Sequence, residues 1–356
     1  MVTRVLDDRQ NAIHTLKLNK LLLFIPFYGS QVAIQFADKK TMRPDCKMIY
    51  KTLFGPVPSR RLGISLGVDL VPHKTCNLDC VYCECGPTTH LTMSRKEYIS
   101  VDRVKDELNL YLSQNEKINY ITFSGSGEPT LNDGIGEVVQ FIKSDHPRYK
   151  VALLTNSTLL SQSAVRRQVK DVDVVMASLD AAGKDQFMQI NRPHPRLDLT
   201  SIIDGLVAFR SMFRGRLLLE YFAVKGLNDS LEALKPMKSI LARIDADGLL
   251  LNTLDRPAAE DWVSPLEPKA LKNISDFLKG AEIVNYQPSP PAGEMQHHDL
   301  VTRLVSTIRR RPYTVQDVSQ IMGVDVETLQ PVLDQLVASN QLIMKSMDRG
   351  LFYKAS

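Results

Sequence analysis

Three of the five cysteines, Cys76, Cys80 and Cys83, lie within eight residues and have the spacing C-x3-C-x2-C. Three thiolates at this spacing can share one metal centre, and they leave a further coordination position open. Cys85 follows closely, whereas Cys46 lies far upstream. Clustered cysteines are typical of metal ligands, because disulfide frameworks spread their cysteines along a short secreted chain.

Three chemistries compete for this cysteine loop. A structural zinc site normally has four protein ligands in paired knuckles; Cys85 could be the fourth, but its spacing from Cys83 is cramped and no second knuckle follows. A redox pair of Cys80 and Cys83 would leave Cys76 unexplained. An iron–sulfur cluster with three thiolates and one open iron fits the spacing best, and Cys85 is then a thiol that is not a ligand.

The composition excludes several classes of protein. The chain has 356 residues, of which 44% are hydrophobic and 24% charged, as in a globular protein. Residues 1–47 hold eight basic and four acidic side chains, which leaves 36 basic and 36 acidic ones in the rest of the chain. A neutral body argues against a protein that coats nucleic acid.

The N-terminal segment 1–47 has an irregular hydrophobic pattern. Translation is predicted to start at Met48, and the alternative is an authentic, loosely attached extension. The apolar stretch 21–28 is too short to span a bilayer and lacks a clear cleavage site for a signal peptide. Because a cysteine cluster suits a reducing compartment, the protein is expected in the cytoplasm and away from membranes.

From Met48 onward, strand and helix patterns alternate, which predicts an α/β fold with a parallel sheet. The predicted strands are 67–71, 118–123, 151–154, 172–178, 217–224, 248–252 and 281–285. The predicted helices are 101–114, 134–143, 164–169 with Ser163 as N-cap, 199–213, 230–244 and 268–278.

The unusual polar residues follow the carboxyl ends of successive strands, where functional groups gather in such folds. Gly127 and Glu128 follow the second strand, Asn156 follows the third, and Ser178 and Asp180 follow the fourth. These residues are therefore expected to lie close to the cysteine loop.

The proline-rich stretch 287–298 is predicted to be a linker between a core at 48–286 and a small domain at 299–356. In this domain, helices are predicted at 299–310, 314–322 and 326–338, with Thr314 as N-cap of the second helix and Gly323 at its end. Strands follow at 341–345 and 351–354, joined by a turn at 348–350. This order resembles a winged helix-turn-helix domain. Its third helix carries only the acidic charges Glu327 and Asp334. A docking role is therefore favoured over DNA binding, because helices that bind DNA present basic or amide side chains to the groove.

The motif Cys76-x3-Cys80-x-Tyr82-Cys83 resembles the cluster-binding loop of the radical S-adenosylmethionine (SAM) superfamily. The turn Ser126-Gly127-Glu128-Pro129 resembles the GGEP motif of that family, with Ser126 in place of a glycine. The resemblance implies that this turn meets the methionyl amino group of SAM, and Glu128 is expected to bind an ammonium or nearby backbone. The resemblance covers about residues 64–285 and implies a partial (βα)6 barrel similar to a TIM barrel. Within the superfamily, residues 54–63 and 252–257 look like a branch of Fe-S oxidoreductases related to the tRNA wyosine-forming enzymes.

The resemblance implies that Cys76, Cys80 and Cys83 hold one 4Fe-4S cluster whose open iron binds SAM. An electron from a ferredoxin or flavodoxin would cleave SAM to a 5′-deoxyadenosyl radical, which abstracts hydrogen from an unidentified substrate: a small molecule, a peptide or RNA. By family position, the cofactors would also contact the following residues: Tyr82, Gly125, Ser126, Gly127, Glu128, Asn156, Ser178, Asp180 and Glu220.

Simpler roles compete for several of these residues. Asn156 and Ser178 could be turn or cap residues, and Glu220 a partly exposed strand residue. Arg60 and Arg61 are expected to be a solvated pair, with binding of an anionic substrate as the alternative. Asp255 and Arg256 are expected to be either a surface ion pair or substrate ligands. Two other functions remain open: a regulator that senses the cluster or SAM and acts through the winged helix, and a tRNA-modifying enzyme.

Overall fold

The structure is a computed structural model that describes residues 50–59, 61–113, 117–284 and 300–356. The chain divides into units 1–48 and 49–356, and all described residues belong to the second unit. The predicted extension 1–47, Met48, the linker 287–298, Cys46 and Arg60 therefore lie outside the described residues. No helix in the described ranges is long and apolar enough to cross a bilayer.

The described part of the core contains a mixed eight-stranded sheet in which all strands but the first are parallel. In chain order its strands are β1 (Leu53–Ser59), β2 (Gly63–Asp69), β5 (Tyr120–Ser124), β6 (Lys150–Thr155), β7 (Val174–Ser178), β8 (Arg216–Phe222), β9 (Gly248–Asn252) and β10 (Glu282–Ile283). The spatial order follows the chain order, so each new strand adds to the same edge. Between β2 and β5, the short strands β3 (Thr75–Cys76) and β4 (His90–Leu91) pair with each other.

Helices connect the parallel strands, as the alternating pattern predicts. They are α1 (Val101–Leu112), α2 (Ile135–Asp145), α3 (Ser163–Val169), α4 (Lys184–Gln186), α5 (Leu199–Met212), α6 (Leu231–Ile244) and α7 (Pro268–Phe277). The side chains of Ser100, Asp198 and Ser230 accept backbone N–H groups at the starts of α1, α5 and α6, which satisfies donors that the helices leave unpaired. A π-helical turn, Phe187–Asn191, extends α4.

The two faces of the sheet differ in polarity. One face packs against the helices in the main apolar core, where Leu66, Phe123, Leu153 and Leu219 are buried. The alternate residues of the same strands point to the other face, called the inner face here, because side chains alternate along a strand. The inner face carries polar side chains such as Ser65 and Thr122, whose hydroxyl oxygens are 3.2 Å apart.

The C-terminal module, residues 300–356, has its own apolar core. It consists of α8 (Leu300–Arg310), β11 (Tyr313–Thr314), α9 (Val315–Met322), α10 (Val326–Ala338), β12 (Leu342–Met347) and β13 (Gly350–Ala355). The three strands pair in the order β11-β13-β12. Thr314 and Asp317 form a capping box at the start of α9, and Gly323 ends this helix in the left-handed conformation. The predictions of Thr314 as N-cap and Gly323 as terminator are thus confirmed.

Most predicted elements are present, and the differences have local causes. The first predicted strand, 67–71, begins earlier, at Gly63, because its small residues on the inner face interrupt the apolar run. Strand β1 was not predicted, since Gly55 and Pro56 indicate a turn, but proline is tolerated on edge strands such as this one. Ser163 is the first residue of α3 and Gln162 its N-cap, so the predicted cap was wrong by one position.

Candidate functional site

The cysteine loop is fastened to the turn that follows β5. The Lys74 backbone N–H donates to the Ser126 carbonyl at 2.8 Å, and the Glu128 N–H donates to the Thr75 carbonyl at 3.0 Å. These two hydrogen bonds place the residue before Cys76 directly against the glycine-containing turn, although 50 residues separate the two segments. The two motifs found in the sequence therefore form one structural unit.

Each of the three cysteine sulfurs accepts a hydrogen bond from a different side chain. The Lys74 ammonium lies 3.1 Å from Cys83 Sγ. The Asn156 amide nitrogen lies 3.5 Å from Cys76 Sγ, and the Asn191 amide nitrogen lies 3.3 Å from Cys80 Sγ. Donors of this kind stabilise thiolate and cluster sulfur, and they tune the reduction potential of bound iron–sulfur clusters.

The three thiols differ in acidity. Burial, followed by the nearby Glu128 carboxylate, raises the pKa of Cys76 to about 12. Burial likewise raises the pKa of Cys80. A hydrogen bond from Cys85, assisted by the Lys74 cation, lowers the pKa of Cys83 to about 6. Iron binding must therefore displace protons from two buried thiols, whereas Cys83 ionises readily.

Glycines are required at two positions of the turn. Gly125 has φ +114°, and an added Cβ would lie 2.0 Å from Asp69 Oδ1. A Cβ on Gly127 would lie 2.3 Å from the Thr75 carbonyl oxygen and 2.7 Å from Val71 Cγ2. Gly127 thus allows the turn to approach the backbone just before Cys76. Ser126 between them is buried, so the chain tolerates a small polar side chain where the family motif has glycine.

The buried carboxylate of Glu128 binds protein groups. It accepts the Thr130 N–H at 3.0 Å, the Thr130 hydroxyl at 2.5 Å, the Thr155 hydroxyl at 2.7 Å and the Asn156 N–H at 2.8 Å. Burial raises its pKa, although these hydrogen bonds oppose the rise. Of the two partners expected from sequence, a ligand ammonium or nearby backbone, the structure shows the backbone.

Asp180 organises a second part of the site. Its Oδ2 accepts the Tyr82 hydroxyl at 2.5 Å and the Asn191 amide at 2.9 Å, while its Oδ1 accepts the Phe222 N–H at 2.9 Å. The Tyr82 ring stacks on Phe222 with centroids 3.9 Å apart. Burial raises the pKa of Asp180 to about 6. Tyr82 is thereby held rigidly beside Cys80 and Cys83.

Four predicted cofactor residues, Tyr82, Asn156, Ser178 and Asp180, line one small cavity of about 20 Å³. The carbonyl of Ser178 also accepts the Ser157 hydroxyl at 2.7 Å. Glu220 does not line this cavity. Its carboxylate forms an ion pair with Arg61 and accepts the Asn252 amide at 2.8 Å. Glu220 is nevertheless the strand neighbour of Ser178, and together with burial its nearby charge raises the pKa of Asp180.

The structure corrects the expected surroundings of two arginines. Arg61 is not solvated: its side chain is 15% exposed and paired with Glu220. Arg256 lies 3.8 Å from Asp255, but the pair is not at the surface, because Arg256 is buried. Its guanidinium donates to the Pro312 carbonyl at 2.7 Å and to Asp317 at 3.0 Å. The loop after β9 therefore contacts the C-terminal module.

Two donors at the cysteine loop, Lys74 and Asn191, were not predicted from the sequence. Asn191 follows Cys80 by 111 residues and ends the π-helical turn, and no local pattern marks it. Lys74 lies two residues before Cys76, outside the cysteine motif. Its position beside a cluster of cysteines was the only available signal, since a cation next to thiols lowers their pKa.

The donor set fits a 4Fe-4S cluster. Among the described residues, no three His, Cys, Asp or Glu side chains are arranged to hold a single metal ion. Each cysteine of a 4Fe-4S cluster binds a different iron, so the thiolates need not converge on one point. The hydrogen bonds to all three sulfurs, and the glycine turn against Thr75, are further features that suit this cofactor.

Comparisons with known proteins agree with this chemistry. The sequence pattern of the radical SAM superfamily matches residues 70–235. A UPF0026 protein of Methanocaldococcus jannaschii is 34% identical over 309 residues, which are 84% of this chain and 94% of that protein. A UPF0026 protein of Helicobacter pylori is 31% identical over 305 residues, 85% of this chain and 97% of that protein. A Brachyspira hyodysenteriae protein named GTPase Obg is 33% identical over 316 residues, 86% of this chain but only 45% of that protein.

Proposed function

This chain belongs to the UPF0026 family and is a radical SAM enzyme, and from that premise we propose how its residues divide the work. Cys76, Cys80 and Cys83 hold the 4Fe-4S cluster. The turn at Gly125–Glu128 and the cavity beside Tyr82 receive SAM. When bound and reduced, these cofactors supply a 5′-deoxyadenosyl radical that abstracts hydrogen from a substrate.

One observation carries this assignment. All three sulfurs of the motif have a side-chain hydrogen-bond donor, whereas Cys85 lies outside this pattern as a partner of Cys83. Asn156 links two parts of the site, because its N–H binds Glu128 while its side-chain amide faces Cys76. Loading of the cluster and binding of SAM at the turn would therefore be coupled through Asn156.

The main role of the protein residues is to hold one another, and the cofactors, in position. Glu128 fixes the end of β6 through Thr155 and the Asn156 N–H. Asp180 fixes Tyr82 and Asn191, which keeps an aromatic ring and an amide against the cysteine loop. Ser178 and Asn156 supply polar groups to the small cavity, where we place part of the SAM molecule. Glu220, the strand neighbour of Ser178, holds Arg61 and Asn252 on the inner face of the sheet.

We extend the proposal to the rest of the chain. The core at 48–286 would be a partial (βα)6 barrel related to the wyosine-forming enzymes. The four thiols described, at 76, 80, 83 and 85, do not supply the ligands of a second cluster, so the wyosine-forming reaction itself does not transfer. The module at 299–356 would be a winged helix that docks on the core, since its Asp317 binds Arg256 of the core. A reducing compartment such as the cytoplasm, with ferredoxin or flavodoxin as electron donor, suits this chemistry.

The decisive experiment is anaerobic reconstitution of the full chain with iron and sulfide, followed by reduction and addition of SAM. The wild type should form 5′-deoxyadenosine and show a cluster EPR signal that SAM perturbs. Cys80→Ala should lose both signals, while the matched variant Cys85→Ala should keep the iron content of the wild type. Absence of 5′-deoxyadenosine from a wild type that has a full cluster would refute the proposal.

A further inference from the structure

A second and larger cavity, of about 230 Å³, lies between the inner face of the sheet and the C-terminal module. Ser65, Thr122 and Gly125 line it from the sheet and the glycine turn. The module contributes Arg310, Arg311 and Tyr313. The cavity thus begins at the turn assigned to SAM and ends on residues outside the matched superfamily region, 70–235.

The lining is rich in arginine. Four arginines, Arg61, Arg256, Arg310 and Arg311, face the cavity, together with the two carboxylates Glu84 and Asp317. Both carboxylates pair with Arg256, at 3.6 Å and 3.0 Å respectively. The lining itself has four positive and two negative side chains, and further carboxylates directly behind it pair with Arg61 and Arg310.

Two of the other three arginines are also paired. Arg61 forms an ion pair with Glu220, and Arg310 forms one with Asp69. Arg311 differs, because only its Nε is used, to donate to the Tyr313 hydroxyl at 2.9 Å. Within the described part of the chain, Arg311 has no carboxylate within 4.0 Å, and its two terminal nitrogens have no hydrogen-bond partner. Its guanidinium lies 5.2 Å from the centroid of the Tyr313 ring, and Tyr313 and the nearby Glu84 carboxylate raise its pKa. These nitrogens remain available for a ligand.

The neighbours of Arg311 are anchored on both sides. Before it, the Arg310 guanidinium lies over the Phe54 ring, 4.1 Å from the centroid, besides pairing with Asp69. After it, the Pro312 carbonyl accepts a hydrogen bond from buried Arg256 at 2.7 Å. The position of Arg311 is therefore fixed by contacts with the core, and a fixed guanidinium loses less conformational entropy when it binds an anion.

We propose that this cavity binds the substrate, and that the substrate is a small molecule whose oxyanion, a carboxylate or a phosphate, meets the Arg311 guanidinium. Planar guanidinium groups bind both oxyanions with paired hydrogen bonds. A volume of about 230 Å³ accommodates a small metabolite rather than a folded RNA or protein segment. That the bound molecule is the substrate rests on the proposed function. Binding of an oxyanion by Arg311 does not depend on that function.

The test uses the full chain and two probes, inorganic phosphate and succinate. The melting temperature is measured against probe concentration, with sodium chloride at matched ionic strength as the reference. The wild type should show a saturable rise with at least one probe, and the stronger probe identifies the oxyanion. Arg311→Gln should bind that probe about tenfold more weakly or worse, the usual effect of losing a hydrogen bond to a charged group.

Two further variants serve as controls. Arg309→Gln changes an exposed arginine in the last turn of α8, two residues before Arg311, and should bind like the wild type. Arg311→Lys keeps the positive charge but lacks the paired N–H donors of the guanidinium. Its affinity for the probe should lie between those of the wild type and Arg311→Gln, and this intermediate affinity also separates lost binding from misfolding. Equal binding by Arg311→Gln and the wild type, or no saturable shift in the wild type, would overturn the cavity assignment. If the wild type binds the anion but forms no 5′-deoxyadenosine, only the proposed function fails.

Discussion

The side-chain amide of Asn191 donates a hydrogen bond to Cys80 Sγ at 3.3 Å. Its second hydrogen goes to Asp180 Oδ2 at 2.9 Å, so a single amide joins the cysteine loop to the carboxylate that holds Tyr82. Asn191 lies on the π-helical turn after α4, and such turns often occur at functional sites. The π-helical turn thus places the amide of Asn191 against the sulfur of Cys80.

Replacing Asn191 with Leu should lower the reduction potential of the cluster. A hydrogen bond to a ligand sulfur stabilises the more negative, reduced state, and a net loss of about 1 kcal/mol corresponds to roughly 40 mV for one electron. The potential is measured by EPR-monitored redox titration of samples with equal iron content. Asp180→Asn, which removes a negative charge but keeps Asn191, should shift the potential the other way. A potential that is unchanged or raised in Asn191→Leu would contradict this role.

The sequence allowed the alternating fold and the cysteine loop to be predicted because both depend on local patterns. The strand predicted at 151–154 corresponds to Lys150–Thr155, and the helix predicted at 199–213 to Leu199–Met212. Apolar period and cap residues are enough for such elements. Asn156, Ser178 and Asp180 were also predicted correctly to lie close together, because each follows the carboxyl end of a parallel strand.

What could not be predicted depends on contacts between distant segments. The burial and ion pairs of Arg61 and Arg256 were not predicted, since nothing local indicates that Glu220 or Asp317 will reach them. For Glu128 the sequence left a ligand ammonium and nearby backbone open, because its partners Thr155 and Asn156 come from another strand. Pairing of this kind is set by the fold as a whole and has no period along the chain.

Substituting Gly127 with Ala should displace the cysteine loop. The new Cβ would meet the Thr75 carbonyl at 2.3 Å, and backbone cannot yield as a flexible side chain can. Overpacking of this type costs about 1–3 kcal/mol, and we expect both a lower melting temperature and less iron bound per chain after reconstitution. Gly183→Ala is the matched control: no heavy atom lies within 4 Å of its added Cβ. Wild-type iron content in Gly127→Ala would show that the turn does not constrain the loop.

Substituting Glu128 with Gln should lower the free energy of unfolding of the cluster-free chain. Four donors converge on the carboxylate, and an amide would present N–H hydrogens to some of them, at a cost of about 1–3 kcal/mol. Urea unfolding of the cluster-free chain measures this change. Glu137→Gln, on a side chain 70% exposed and 3.6 Å from Lys105, should change the free energy of unfolding by less than about 1 kcal/mol. If Glu128→Gln keeps full stability but loses SAM binding, Glu128 contacts the ligand instead.

Asp317 should hold the C-terminal module against the core. Its carboxylate accepts hydrogen bonds from Arg256 at 3.0 Å and from Arg349 at 2.8 Å and 2.9 Å. Burial alone would raise its pKa, but the two guanidinium groups, Arg349 first, lower it to about 2. Asp317→Asn removes one carboxylate from Arg256 and Arg349, but Asp255 still lies 3.8 Å and 3.2 Å from their guanidinium groups. The free energy of unfolding at pH 7 should therefore fall by about 1–3 kcal/mol, because hydrogen bonds to a charged group are lost.

The pH dependence of this loss follows from the lowered pKa. A carboxylate whose pKa falls from 3.8 to about 2 on folding contributes stability that is present above pH 4 and is lost as the pH falls towards 2. The difference between the wild type and Asp317→Asn should therefore stay constant from pH 7 to about pH 5 and shrink below pH 4. Urea unfolding at several pH values measures it, with Asp334→Asn, an exposed aspartate on α10, as the control. A difference that persists unchanged at pH 3 would mean that the charge of Asp317 does not hold the module, and that its effect is confined to the cap of α9.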